Sequence, residues 1–243
     1  MLDLERLFAG KTFTTDWTSA NIEVWQRHLA SWRDRDCRIL EIGSWEGRSA
    51  LIFLALLPRG RITCVESFTG SIEHQGDPNL VGLEERFDAN LTDEADRVEK
   101  MRGRSVPLLD RLVQEGRRFD VIYVDGSHRR DDVLVDAVLS WQLLADGGVM
   151  IFDDYLWDAD DGLSAGNPGA DVPKHAIDAF LALNAGAYTL LHRGYQVLIR
   201  RDAQVRPNAR CKDGLVYPRT FRNLARFLSK RPLRRPPQDS LSS

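Results

Sequence analysis

The chain has 243 residues, 43% hydrophobic and 28% charged, with 33 basic and 36 acidic side chains for a formal charge of −3. That length suits one globular domain with additions and a core that needs no staples, and the charge gives no whole-chain case for nucleic acid. Cys37, Cys64 and Cys211 form no CxxC pair and no zinc spacing, so they read as free thiols in a reducing, cytoplasmic setting.

The N-terminus "MLDLERLFAGK" carries charges where a secretory leader needs an apolar core, and no long apolar run offers a membrane span. Residues 18–33 place Ile22, Val24, Trp25, Leu29 and Trp32 at helical spacing, with Thr18 or Ser19 as cap. "CRILEIGS" (37–44) reads as a strand and "EGRSALIFLALLP" as a helix stopped by Pro58. "GRITCVES" (60–67) is a second strand, followed by a polar stretch and a helix through "LVGLEERFDANL". "VEKMRGRS" (98–105) is the third strand, ending at Arg104 and Ser105. "VPLLDRLVQEG" is a helix with Pro107 in its first turn and Gly116 at its end. "FDVIYVDG" is the fourth strand, residues 130–145 a helix, and "GGVMIFDD" the fifth strand. After a Gly- and Asp-rich loop (158–171) come a helix, "VPKHAIDAFLALNAG", and a hairpin, "YTLLHRGYQVLIRRD".

Strands alternating with helices predict β-α-β units and a doubly wound α/β sheet, mainly parallel. The closing hairpin has too short a turn for a parallel crossover, so one strand is antiparallel. In such sheets ligands bind beyond the carboxyl ends of the strands. Glu41, Glu66, Asp125, Asp153 and Asp154 all stand at that edge.

"LEIGSWEGRS" sets Glu41-x-Gly43-x-x-x-Gly47 between a strand and a helix, where glycines permit a tight turn and close approach to a ligand. This is not the dinucleotide G-x-G-x-x-G pattern. Glu66 ends the second strand, where an acid can accept both ribose hydroxyls of an adenosyl ligand. The bland alternative is a glycine-rich turn with solvated acids.

"DWTSANIEVW", "EIGSWEGRSA", "YVDGSHRRDDVLVDAVLSWQLLADGGVMIFDDY" and "VPKHAIDAFL", within residues 17–202, resemble the class I S-adenosylmethionine-dependent methyltransferases. The resemblance is to the branch with metal-dependent sugar O-methyltransferases of natural-product pathways. It implies a Rossmann-like seven-stranded sheet and a cofactor-binding methyltransferase domain (37–202); apolar spacing places an N-terminal helical segment before it (1–36) and charge a basic extension after it (203–243). It implies S-adenosylmethionine contacts from Glu41, Gly43, Ser44, Gly47, Ser49, Glu66, Asp125 and, toward adenine, Ser105. It implies Mg²⁺ on Asp125, Asp153 and Asp154, a hard oxygen set whose three carboxylates would repel one another without a cation.

Many relatives carry histidine where this chain has Asp153, and aspartate at both positions favours the metal. The same resemblance makes His128 the general base, since an imidazole titrates at roughly 6.5 and can deprotonate a metal-bound sugar hydroxyl. The bland alternative for His128 is a cap on the helix that follows. The implied partner is a small-molecule acceptor, a sugar or glycosylated metabolite.

His74 and His175 are candidates for substrate contact, whereas His28 and His192 read as packing or surface residues. Trp17 and Trp45 flank the ligand edge, and Asp158, Asp160 and Asp161 occupy a loop placed to close over substrate. Between Arg206 and Arg235 ten basic residues meet one acid, Asp213, and Phe221, Leu224, Phe227 and Leu228 fall at helical spacing. That pattern fits a docked surface helix, with membrane-surface, RNA or subunit contact as alternatives. The competing functions are a metal-independent methyltransferase, an RNA-binding or RNA-modifying enzyme using the tail, and a non-catalytic scaffold. The near-neutral body argues against RNA, and the retained glycines and acids argue against a scaffold. A hydroxylase-type relative would need an iron-type ligand set that the chain lacks. The oligomeric state, a homo-oligomer included, is left open.

Overall fold

The computed structural model describes residues 2–71, 74, 76–157 and 170–203. Its strands are β1 (Cys37–Ile42), β2 (Gly60–Glu66), β3 (Val98–Arg102), β4 (Phe119–Val124), β5 (Leu144–Phe152), β6 (Tyr188–Arg193) and β7 (Val197–Arg201). They form one sheet in the order β3-β2-β1-β4-β5-β7-β6. β1 to β5 pair in parallel, and β7 runs antiparallel to both β5 and β6. The expected Rossmann-like sheet with one reversed strand is observed. Because β7 is reversed, its start lies at the edge where the parallel strands end.

Strand alternation separates two cores. Ile39, Ile62, Cys64, Val121, Tyr123 and Ile151 belong to one, with α2 (Ile22–Leu29) and α3 (Arg48–Leu56). Leu40, Ile42, Ile122, Val124, Met150 and Phe152 belong to the other, with α5 (Ser105–Gln114), α6 (Arg130–Leu143) and α7 (Pro173–Leu183). α3 is buried on nearly every side and accordingly carries an almost unbroken apolar sequence. Trp25 anchors α2: it is fully buried, stacks on Phe53 at 4.5 Å and meets Tyr123 edge-on at 5.5 Å. Its indole N–H donates to Gln196 Oε1 at 2.7 Å, tying α2 to the start of β7. Burial of such a side chain contributes about 3 kcal/mol.

The boundaries differ from the sequence reading in two informative places. The helix expected over 18–33 is three pieces: a 3₁₀ turn Ser19–Asn21, α2, and a second 3₁₀ turn Ala30–Trp32. The third strand stops at Arg102, and Ser105 opens α5, because Gly103 breaks the extended chain at φ +149°. α1 (Leu4–Leu7) and α4 (Leu83–Leu91) complete the α-helices among the described residues, with further 3₁₀ turns at Pro78–Leu80 and Thr92–Glu94. Among the described residues no helix is long and apolar enough to cross a membrane. Cys37 and Cys64 are buried free thiols, and burial pushes Cys37 up to about 11. The chain divides into residues 1–203 and 204–243. The basic segment, Cys211 and the acids Asp158, Asp160 and Asp161 lie outside the described residues.

Candidate active site

Three strand ends meet side by side. Gly43 N–H donates to Val65 O (2.9 Å), Asp125 N–H to Ile42 O (2.9 Å) and Asp153 N–H to Val124 O (3.0 Å). Gly43 sits at φ +82°, and a Cβ there would lie 2.1 Å from the Asp125 carbonyl oxygen, so only glycine lets the two turns touch. Gly47, at φ +78°, precedes α3, where a Cβ would press on Leu91 at 2.9 Å.

A cavity of about 950 Å³ opens over this edge. Small-molecule sites span roughly 300–1,000 Å³, so the space accommodates a cofactor and an acceptor together. Gly43, Ser44, Ser49, Glu66 and Asp125 line it. Glu66 Oε2 accepts from the Ser44 and Trp45 N–H groups (2.8 and 3.0 Å), and Oε1 from Phe68 N–H (2.8 Å). One carboxylate therefore shapes both flanking loops, including Trp45 and Phe68 in left-handed backbone at φ 47° and 58°.

Glu41, Gly47 and Ser105 are not among the lining residues. Strand alternation sends Glu41 into the α3-side core with Ile39, where it is fully buried and Cys64 Sγ lies 3.5 Å from Oε2. Burial pushes its carboxyl up to about 7, against the pull of the Ser44, Ser49 and Cys64 side chains. Gly47 faces α4, and the Ser105 hydroxyl serves buried Asp136, whose carboxyl burial pushes up to about 7.

At the ends of β4 and β5, Asp125, His128 and Asp154 bring ligand atoms within 4.8 Å of one another. His128 Nε2 lies 2.9 Å from Asp154 Oδ2, and the Tyr195 hydroxyl donates to Asp154 Oδ1 at 2.9 Å. The Trp157 ring lies 4.4 Å from the His128 ring, tilted by 32°. Trp157 N–H in turn donates to Asp154 O at 3.0 Å.

Asp153 lines the cavity but does not join this group. Two residues beyond Ile151, it points to the same side as Tyr123, whose hydroxyl donates to it, and Asp154 N–H donates to its Oδ1 at 2.8 Å. Asp154 escapes that alternation because its backbone is left-handed, at φ 56°.

The electrostatics are those of crowded acids. Burial, then the charges of Asp153 and Asp154, push Asp125 far above the ordinary carboxylate range. Burial and Asp154 push Asp153 up to about 6. Burial acts upward on Asp154 too, but the His128 hydrogen bond and charge, with Tyr195 and Asp125, outweigh it and hold that carboxyl low. A proton, an imidazolium or a metal cation relieves such a cluster.

The opposite wall comes from Asn21 and Val24 at the start of α2 and from His192, Gly194, Tyr195 and Gln196 around the β6–β7 turn. The sequence reading assigned no site role to Asn21, Trp157, Tyr195 or Gln196, and it placed His192 in packing. No motif marks them. The one signal available was that β7, being reversed, had to begin at the ligand edge. Trp17, Trp45 and His74 cluster at the rim, with ring separations of 5.7, 4.8 and 6.0 Å. His175 is not a lining residue.

The family described as "Methyltransferase domain" matches residues 40–155. Over that stretch, a little under half of its length, the chain is similar to the methyltransferases. No curated protein matches this chain. Among solved structures it resembles the MycE methyltransferase of the mycinamycin biosynthetic pathway, in complex with Mg, SAH and mycinamycin VI, at 17% identity and TM-score 0.57 over 85% of this chain. It spans 56% of the MycE chain, a little over half. It also resembles an O-methyltransferase from Bacillus cereus in complex with SAH, at 20% identity and TM-score 0.58 over 82% of this chain and 88% of that one. TomG, an O-methyltransferase of tomaymycin synthesis from Streptomyces achromogenes in complex with SAM, gives 21% identity and TM-score 0.57 over 82% and 86% of the two chains.

Proposed function

We propose that this chain moves the methyl group of S-adenosylmethionine to a hydroxyl of a sugar or glycosylated small molecule, in the cytoplasm. The observation that carries the reading is the convergence of Asp125, His128 and Asp154 within 4.8 Å at one end of a cavity whose other end holds Glu66 and the glycine loop. The Mg and SAH of the MycE complexes and the O-methyltransferases among the similar structures support it.

The residues fit a divalent cation. Asp125 and Asp154 offer hard oxygens from two strand ends, and the crowding of three acids is the repulsion that a cation removes. Asp125 and Asp154 would hold Mg²⁺, with Asp153 behind them on Tyr123. When bound, such an ion lowers the pKa of an adjoining hydroxyl. His128, oriented by Asp154 and by the face of Trp157, takes up the hydroxyl proton as the oxygen attacks the methyl carbon. The new O–CH₃ bond forms as the C–S bond breaks, and the sulfur keeps the electron pair as a neutral thioether. Base catalysis of this kind supplies about 10²–10⁴-fold, and alignment in the cavity much of the rest.

The direct His128–Asp154 contact favours a second reading, in which the pair orients and deprotonates the acceptor without metal. Electron paramagnetic resonance of Mn²⁺ with S-adenosylhomocysteine present separates the two. The metal reading expects one bound ion in wild type, lost in Asp154→Ala. Absence of binding by wild type that still binds S-adenosylhomocysteine rejects it and leaves the histidine–aspartate pair.

A further inference from the structure

Two segments close the cavity from outside. Residues 12–21 form a strap along its mouth, bolted to the domain. Asn90 bonds the N–H and the carbonyl of Thr12, both at 2.8 Å. Buried Glu46 accepts from the Thr14 N–H (2.7 Å), the Thr14 hydroxyl (3.0 Å) and Arg86 Nε (2.6 Å). Arg48 donates to Thr18, Ser19 and Asp16 at 3.1, 3.0 and 2.8 Å. The second segment, the β6–β7 turn, differs from the strap because one of its side chains reaches the acids.

Tyr195 stands at the tip of that turn. Its hydroxyl donates to Asp154 Oδ1 at 2.9 Å, while Asp154 Oδ2 faces His128 Nε2, also at 2.9 Å. The backbone behind the phenol is pinned. Tyr155 N–H donates to Tyr195 O and Gly194 N–H to Gln196 O, both at 2.9 Å, and Gln196 is held in turn by Trp25. The neighbouring acid is engaged in the same manner. Asp153 Oδ2 accepts from the Tyr123 hydroxyl, and Asp153 Oδ1 from Asp154 N–H at 2.8 Å. Both oxygens of Asp153 and one of Asp154 therefore accept from fixed donors. Asp154 Oδ2 is the oxygen turned toward His128.

A carboxylate that accepts a hydrogen bond on one oxygen has the other left for a cation. Calcium takes roughly 6–8 oxygens and often draws both from one carboxylate, in a flexible shell. Magnesium demands a near-ideal octahedron, keeps several waters and needs only one or two carboxylates. The few oxygens left at this site suit the second ion. We propose that the Tyr195 hydroxyl, by occupying Asp154 Oδ1, confines Asp154 to ligation through one oxygen and makes the site choose magnesium-sized cations over calcium. Tyr195 is a positioning residue, since it acts through Asp154. The same side chain lines the cavity, so one residue of the hairpin serves both the outer wall and the choice of ion. The assignment rests on the metal reading above.

Electron paramagnetic resonance of Mn²⁺ on the full chain, with S-adenosylhomocysteine present and with Mg²⁺ or Ca²⁺ added as competitor, tests this. In wild type Mg²⁺ should displace Mn²⁺ at lower concentration than Ca²⁺ does. Tyr195→Phe keeps the ring, which is 45% exposed, and removes only the donor. It should reduce the preference for Mg²⁺ over Ca²⁺ about tenfold while S-adenosylhomocysteine binds as in wild type. A wild type that prefers Ca²⁺ would overturn the proposal. Equal weakening of both ions in the variant would overturn it by making Tyr195 a support for Asp154 with no part in selection. Unchanged displacement by both ions would overturn it as well. Wild type that binds S-adenosylhomocysteine but no Mn²⁺ would remove the proposal together with the metal reading.

Discussion

Asp154 shows how much one backbone angle decides. Its left-handed φ of 56° costs a non-glycine residue about 1 kcal/mol or more, and that turn takes its carboxylate out of the strand's alternation and brings it to His128. Trp157 closes the unit with its ring tilted against that of His128 while its backbone N–H holds the Asp154 carbonyl. Trp157→Ala should therefore weaken Mn²⁺ binding roughly tenfold with S-adenosylhomocysteine affinity unchanged, and Trp157→Phe should restore most of it, as read by electron paramagnetic resonance and calorimetry. The acids at the strand ends were legible in the sequence because parallel strands deliver their last residues to one edge. Which of two adjacent acids faces His128 was not, because that depends on a φ angle that no local residue pattern announces.

Asp136 makes a pH argument at the same scale. Burial pushes its folded-state carboxyl up to about 7, above an unfolded value near 4. The folded chain binds that proton more tightly, so the contribution to stability is complete below the unfolded pKa. It is lost as pH rises through about 7. Asp136→Asn removes the titration. Its stability relative to wild type should climb between about pH 4 and pH 8, by a few kcal/mol. Urea unfolding at a series of pH values measures this, and a flat difference would contradict the assignment.

Among the elements, α2 and the β6–β7 hairpin depend on each other. Trp25 has ring contacts to Phe53 and Tyr123 and one hydrogen bond to Gln196. Trp25→Phe keeps an aromatic ring in place but leaves Gln196 Oε1 buried without its donor, so it should cost about 2–3 kcal/mol in chemical denaturation. The reversal of β7 was readable from the shortness of its turn. The break before α2 was not: the apolar spacing of Ile22, Trp25 and Leu29 runs smoothly across 18–33, and the division arises where Arg48 pulls Thr18 and Ser19 toward α3. A contact 29 residues away in sequence leaves no trace in local periodicity.

At the scale of the whole molecule, the recognised domain covers residues 40–155, yet the cavity is closed by parts on either side of it. The strap before and the hairpin after supply its outer walls. Glu46 is the bolt between domain and strap, so Glu46→Ala should raise amide hydrogen exchange over residues 12–19 while leaving β1, β2 and β4 protected. Protection unchanged in the strap would show that Asn90 and Arg48 suffice. The fold was legible as a whole because its alternation of strand and helix is a property of the entire chain. The outer walls were not, because they are assembled from segments whose meeting only the fold arranges.

The reversed strand leaves this architecture open to redesign. Since β7 begins at the ligand edge, Gly194, Tyr195 and Gln196 form a hairpin tip that reaches the cavity while its two stems are secured in the sheet. Gln196 is committed to Trp25, but the tip before it can be lengthened, shortened or grafted from another enzyme without disturbing the glycine loop or Glu66. Because the Tyr195 hydroxyl also donates to Asp154, changes at 193–195 would alter the Asp154 cluster together with that end of the cavity, while Glu66 and the glycine loop stay as they are.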